Sequence, residues 1–253
     1  HADIKPGDQD KIRRALAMFE GYADLEGIKR KLSHVPAIGV TPRMFTYNLV
    51  QQAKSNPQHI VLPEGDEPRI LRAAAELVAK SIVRITLLGH RARIEAVVKE
   101  QGIEIDLAGL EIVEPASSPM RETYAQAYYE ARRNKGVTLD AARDCLLDVS
   151  YFGTMMVHLG HADGMVSGAV HTTQHTIRPA LQVIKTRPGC SIVSSVFFMC
   201  LDDGVVVYGD CAVNPDPTAP ELAEIAITSA DTARIFGVDP KVALLSYSTG
   251  ESG

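Results

Sequence analysis

The chain has 253 residues, 45% of them apolar and 23% charged, a globular mix with room for one large or two smaller cores. With 26 Lys and Arg against 31 Asp and Glu, a net charge of −5 excludes a general pull toward nucleic acid or anionic lipid, so neither is expected as a partner. No apolar run approaches the ~20 residues of a membrane span, no secretory core opens the chain, and Cys145, Cys190, Cys200 and Cys211 form no CxxC pair, so the cytoplasm is the expected compartment.

In chain order, residues 1–40 carry two short helical patterns, 11–22 and 25–33, too little for a domain. Thr41-Pro42 is a helix start, a hydroxyl N-cap followed by Pro in the first turn. A strand is predicted at 60–62, a helix at 73–80, a strand at 85–88, a helix at 93–101 and a strand at 110–113. A long helix at 119–134 stops at Gly136, Thr138 caps a helix over 139–147, and 151–159 continues the helical pattern. After a strand at 164–166 comes a helix at 176–184, with Pro179 placed in its first turn. Residues 191–200 and 205–208 read as strands joined by the hairpin signal Asp202-Asp203-Gly204. Thr218 and Glu221 form a capping box for a helix ending at Gly237, and 242–245 reads as a last strand.

This alternation implies an α/β fold with mainly parallel sheets and helices on both faces. The switch to a hairpin near Ser191 marks a second lobe, with the boundary between Ile184 and Val196. The expected division is therefore 1–40 as a preceding tail, 41–190 as a first lobe, and 191–253 as the start of a second, incomplete lobe. Both ends of the chain are expected to be cut from something longer.

In such sheets ligands bind beyond the carboxyl ends of the strands. The loop from Val166 to Pro179 combines Ser167, Gly168, His171, Thr172 and Thr173 with Arg178, and a shorter one carries Ser248 and Thr249. Small residues, hydroxyls and a helix N-terminus together make an oxyanion site, and Arg178 adds a planar cation suited to phosphate. The same hydroxyls could equally be plain helix caps. Neither GxGxxG nor GxxxxGK[ST] is present. His171 and His175 lack a third metal ligand and read as hydrogen-bonding residues, so no metal site is expected. His158 and His161 read as exposed, Cys190 and Cys200 as strand core residues, and Asp210, Asn214 and Asp216 as turn formers.

Five stretches, 60–69, 130–136, 166–186, 208–217 and 245–250, occur in an order that resembles the phosphate acetyltransferases of the long bacterial type. The resemblance covers 41–253 and makes residues 1–40 similar to the end of that type's regulatory region. It implies a two-lobed α/β fold similar to the isocitrate and isopropylmalate dehydrogenases, assembled as a homodimer or higher oligomer, with the site between lobes. It implies transfer of an acetyl group between acetyl phosphate and coenzyme A, with coenzyme A as a substrate and no cofactor. Residue by residue, Arg178 matches an arginine holding the acyl phosphate, Thr173 a hydroxyl close to it, and Arg69 and Arg132 arginines binding coenzyme A. The family's Asn-Asp-Leu-Ser-Arg-Gly motif, a source of catalytic serine and arginine, is not in this sequence, so the expectation concerns a longer parent enzyme. Phosphate butyryl transfer and a non-catalytic acetyl-CoA-binding module are the alternatives.

Overall fold

The computed structural model describes residues 9–22, 24, 26–27, 40–202 and 204–245. Helix α1 spans Gln9–Tyr22; most of the second helical pattern, 25–33, lies outside the described residues, as do Ser248 and Thr249. Helix α2, Pro42–Ser55, starts where the sequence places it: Thr41 accepts from the Met44 N–H at 3.3 Å, and Pro42 opens the first turn.

Four parallel strands then form a sheet: β1 (His59–Leu62), β2 (Arg84–Leu88), β3 (Glu111–Val113) and β4 (Gly164–Met165), in the order β3-β2-β1-β4. Ile60 pairs with Ile85 and Leu62 with Leu87, while Val61 pairs with Met165 on the other side. Because side chains alternate across a strand, neighbouring residues feed opposite cores. Leu62 and Leu87 pack with Leu71 and Ile94 from α3 (Pro68–Ala79) and α4 (Arg91–Glu100). Val61 and Leu88 pack instead with Tyr124, Tyr128, Phe152 and Met155 from α5 (Arg121–Arg132) and α7 (Val149–His158). Between α5 and α7, Gly136 takes a left-handed φ of 82° and Thr138 caps α6 (Leu139–Cys145), both as the sequence signals.

Helix α8 covers Thr173–Val183. It begins three residues earlier than the sequence reading, because Thr172 rather than a later hydroxyl is its cap, and Pro179 consequently lies in the helix interior instead of the first turn. Strands β5 (Val196–Leu201) and β6 (Gly204–Gly209) make an antiparallel hairpin, and α9 (Ala219–Ile235) follows with its Thr218–Glu221 capping box formed. Phe198 of β5 lies 5.2 Å from Phe45 of α2 and 4.6 Å from Phe236 just after α9, ring centroid to ring centroid. Helix α2 thus packs on the hairpin that follows it by some 140 residues in sequence.

Two strand expectations are corrected. Residues 191–195 are not strand: the N–H groups of Ser191 and Ile192 donate to Glu224, and that of Ser195 to Asp210, so carboxylates take the place of a ladder partner. Residues 242–245 are also outside any strand, and Leu244 and Leu245 are exposed. Cys190 and Cys200 are not core residues either. Cys190 sits in a loop, where its sulfur accepts from Arg187 Nε at 3.1 Å, and Cys200 lies on the exposed side of β5.

Candidate active site

The loops leaving the carboxyl ends of β1 and β4 meet, and their meeting is built around one carboxylate. Glu64 follows β1 and is only 4% exposed. Its Oε2 accepts from the N–H groups of Gly168 (3.1 Å) and Ala169 (2.9 Å), and its Oε1 from those of Val170 and His171 (both 2.7 Å). Burial alone would push this carboxyl up, but the four backbone donors outweigh it and hold the pKa below the ordinary value. The expectation that this loop offers its amides to phosphate is therefore corrected at Gly168 and His171: their N–H groups already serve Glu64.

What remains open lies one step further on. Thr172 caps α8 by accepting from the His175 N–H at 3.2 Å, leaving the N–H groups of Thr173 and Gln174 without an acceptor among the described residues. Arg178 is not at the end of the loop but in the second turn of α8, four residues after Gln174 and so on the same face. Its side chain is exposed and makes no ion pair among the described residues, yet its charge reaches the Cys145 thiol and opposes the rise caused by burial, Asp144 and Asp148. Ser167 is half-buried, accepts from the Thr176 hydroxyl at 3.3 Å, and is thereby tied to the same helix.

Around this centre stand the other candidates. Arg69, in the first turn of α3, donates from Nε to Glu67 Oε1 and from a terminal nitrogen to the Ala169 carbonyl, each at 2.6 Å, while 67% of its side chain stays exposed. Arg132 ends α5; its Nε is buried with no partner among the described residues. One turn before it, Tyr128 donates its hydroxyl to Gln182 of α8 at 2.8 Å, and its pKa is pushed up to about 12, chiefly by burial. His171 and His175 stack at 4.6 Å with an interplanar angle of 13°. Their ring nitrogens face separate carboxylates, His171 Nδ1 to Glu64 Oε1 and His175 Nε2 to Asp148 Oδ2, both at 3.0 Å. Among the described residues no group of three or more His, Cys, Asp or Glu is placed to hold a metal. The structure therefore gathers Arg69, Ser167, Gly168, His171, Thr172, Thr173 and Arg178 at one end of the sheet. Helix α5, which ends at Arg132, meets α8 through Tyr128 and Gln182.

Sequence reasoning missed Glu64 and Asp148 as parts of this arrangement. Both carry a signal in hindsight: Glu64 stands two residues past the end of a buried strand, and Asp148 precedes a helix that it caps through Ser150 and Tyr151. Beyond the hairpin, Asp210 is a turn former as read, accepting from Ser195, Ala212, Val213 and Asn214. Two cavities elsewhere offer less chemistry for an anion. One of about 270 Å³ between β6 and α9 is lined mostly by apolar residues such as Val205, Val207, Leu222 and Ala226, with Lys241 beside Asp239 at its edge. Another of about 280 Å³ joins His59, Arg84 and Glu111, the first residues of β1, β2 and β3, at the amino ends of the strands. The α8 end is different: among the described residues its start holds amide donors without acceptors and a guanidinium without an ion-pair partner, a combination suited to an oxyanion.

Residues 44–253 match the family model described as phosphate acetyl/butaryl transferase. Among curated proteins the chain is similar to the phosphate acetyltransferase of Synechocystis sp., 60% identical over 253 residues, which are all of this chain and 36% of that protein. It is similar to that of Escherichia coli K12, 54% identical over 252 residues, which are 99% of this chain and 35% of that protein. It therefore spans about a third of the length of these relatives. Among solved structures, a phosphotransacetylase from Streptococcus pyogenes aligns with a TM-score of 0.77 at 42% identity, over 84% of this chain and 64% of that one. The EutD phosphotransacetylase from Staphylococcus aureus aligns with 0.74 at 42% identity, over 83% and 62%.

Proposed function

The chain belongs to the phosphate acetyl/butaryl transferase family, and from that premise we propose that it forms the phosphate end of an enzyme moving acetyl between phosphate and coenzyme A. The observation that carries this reading is that, among the described residues, the N–H groups of Thr173 and Gln174 have no acceptor and Arg178, one turn along the same helix, has no ion-pair partner.

In the direction from acetyl phosphate, the coenzyme A thiol loses its proton to a base and its sulfur attacks the acetyl carbonyl. The carbon–sulfur bond forms, the tetrahedral oxyanion collapses, and the bond to phosphate oxygen breaks. The departing phosphate gains negative charge, which Arg178 and the α8 amides accept. Thr173 stands beside those amides, with its hydroxyl toward the same end of the helix in this reading. Arg69 and Arg132 flank the centre and take the phosphates of coenzyme A. Ser248 and Thr249 belong to the same proposal as further donors. No protein nucleophile is needed, because holding both substrates in one cleft supplies the orientation for direct transfer.

The finer architecture is part of the same proposal: two lobes dividing near residue 190, arranged as in the isocitrate and isopropylmalate dehydrogenases, with α2 joining the second lobe through Phe45. Assembly as a homodimer or higher oligomer in the cytoplasm completes it. The direct test uses the full-length protein carrying this segment and follows thiol release from acetyl-CoA and from butyryl-CoA on addition of phosphate. Phosphate-dependent release from acetyl-CoA, faster than from butyryl-CoA, is the expected result. No release from either would refute the reading.

A further inference from the structure

The loop leading into α8 has the composition of an anion cradle, yet its four successive amides are already occupied from within. From that we infer that Glu64 is a positioning residue: it replaces a bound anion in the 168–171 loop and so fixes where α8 begins. The inference rests on the reading of α8 as the phosphate end of the site.

Three observations make Glu64 a permanent occupant. Its carboxylate receives all four N–H groups from Gly168 to His171, with His171 Nδ1 a further 3.0 Å contact. It is almost completely buried, and exchanging it for a phosphate would strand a carboxylate without its donors, at a cost of several hydrogen bonds to a charged group. Its backbone cannot swing away either. Gly65 donates to the Leu88 carbonyl at 3.1 Å, and even a Cβ on Gly65 would come within 2.5 Å of that oxygen.

The same short segment grips the loop a second time. Glu67 caps α3 by accepting from the Arg69 and Ile70 N–H groups, and it orients the Arg69 guanidinium, which donates to the Ala169 carbonyl. Donors of the loop therefore point to Glu64 and an acceptor of the loop to Arg69. With 168–171 held on both sides, Thr172 is delivered in the extended geometry (φ −69°, ψ 158°) that an N-cap requires, and the amides of Thr173 and Gln174 are left without an acceptor among the described residues. Glu64 touches neither substrate in this account; it acts through the loop.

The test combines amide hydrogen exchange with kinetics on the full-length protein. In the wild type the amides of 168–171 should exchange as slowly as those inside α8, and saturating inorganic phosphate should leave them unchanged. Glu64→Gln presents an NH₂ where a carboxylate oxygen was, and should speed exchange at these four amides by about ten-fold, the loss expected when charge-assisted bonds are removed. It should lower kcat by about a hundred-fold, the scale of a small misplacement of catalytic groups. KM for coenzyme A should change far less than kcat, because Glu64 bonds to neither Arg69 nor Arg132 among the described residues and reaches Arg69 only through the Ala169 peptide. Glu64→Asp, which keeps the charge but is one methylene short, should recover part of the kcat. Unchanged exchange in a folded Glu64→Gln protein overturns the inference. So does a wild type whose four amides respond to phosphate, since that would make Glu64 a displaceable plug. The exchange arm of the wild type needs neither activity nor a variant, so it decides the role of Glu64 even if acetyl transfer is not the reaction or the variant does not fold.

Discussion

Phe45 and Phe198, 5.2 Å apart, tie the first helix after residue 40 to a hairpin far along the chain. Phe45 is the one buried residue of α2 among the described residues, with Leu49 and Val50 half-buried beside it. Its ring is the contact of α2 with the hairpin that a truncation would remove.

Phe45→Ala should therefore destabilise the fold by about 3 kcal/mol, the usual cost of emptying a buried aromatic site. Denaturant unfolding of the variant beside the wild type measures it. A loss below about 1 kcal/mol would mean that α2 is held by something other than this contact.

A second expectation concerns acid. Asp210 is buried enough to favour its neutral form, but the Ser195 hydroxyl, then the Ala212 and Asn214 amides, reverse this and hold its carboxyl well below the ordinary value. A group with a depressed folded pKa contributes stability that is fully present above its unfolded pKa of about 4 and lost as pH falls toward the folded value. Asp210→Asn should cost roughly 1–3 kcal/mol at neutral pH, the penalty for mismatched hydrogen-bond partners, and the gap to wild type should close as the pH drops below about 4. Unfolding curves at a series of pH values read this directly. A gap independent of pH would show that the charge on Asp210 contributes nothing.

The strands of the parallel sheet and three helix starts were legible because each rests on a local cause, whereas α3 begins at Pro68, five residues before the expected 73. Short apolar runs gave β1, β2 and β3, and Thr41, Thr138 and the Thr218–Glu221 pair gave three caps. Where the cause is distant, the sequence misleads. Ile192 and Val193 look like strand, but the backbone around them bonds to Glu224 and Asn214 from other elements. Thr172, Thr173 and Thr176 are equally good caps on paper, and only the loop held by Glu64 selects Thr172. The candidate site shows the same split. Its arginines and hydroxyls were visible as residue types, whereas the use of four loop amides by a carboxylate 104 to 107 positions earlier was not.

Arg69 and Arg132 should matter mainly for coenzyme A. Replacing either with Ala should raise KM for coenzyme A far more than KM for acetyl phosphate. For Arg69, whose side chain stays exposed, the difference should shrink at high salt, because exposed charges are screened beyond about 8 Å at physiological ionic strength. Equal increases for both substrates would move these arginines from a binding role to a structural one, a role that the Arg69 contact with Ala169 already supplies in part.

The central claim is that Arg178 stabilises the phosphate as it leaves, and kcat of the full-length protein tests it most directly. A charge-assisted, bidentate contact is about twice as strong as a neutral hydrogen bond, and the departing phosphate carries more charge than it does in the acyl phosphate. Arg178→Ala should therefore lower kcat by about two to three orders of magnitude, the cost typical of losing one preorganised donor. Arg178→Lys should recover only part of it, since an ammonium cannot reproduce the planar fork. A folded Arg178→Ala protein with near-normal kcat would contradict the account and remove Arg178 from the active site.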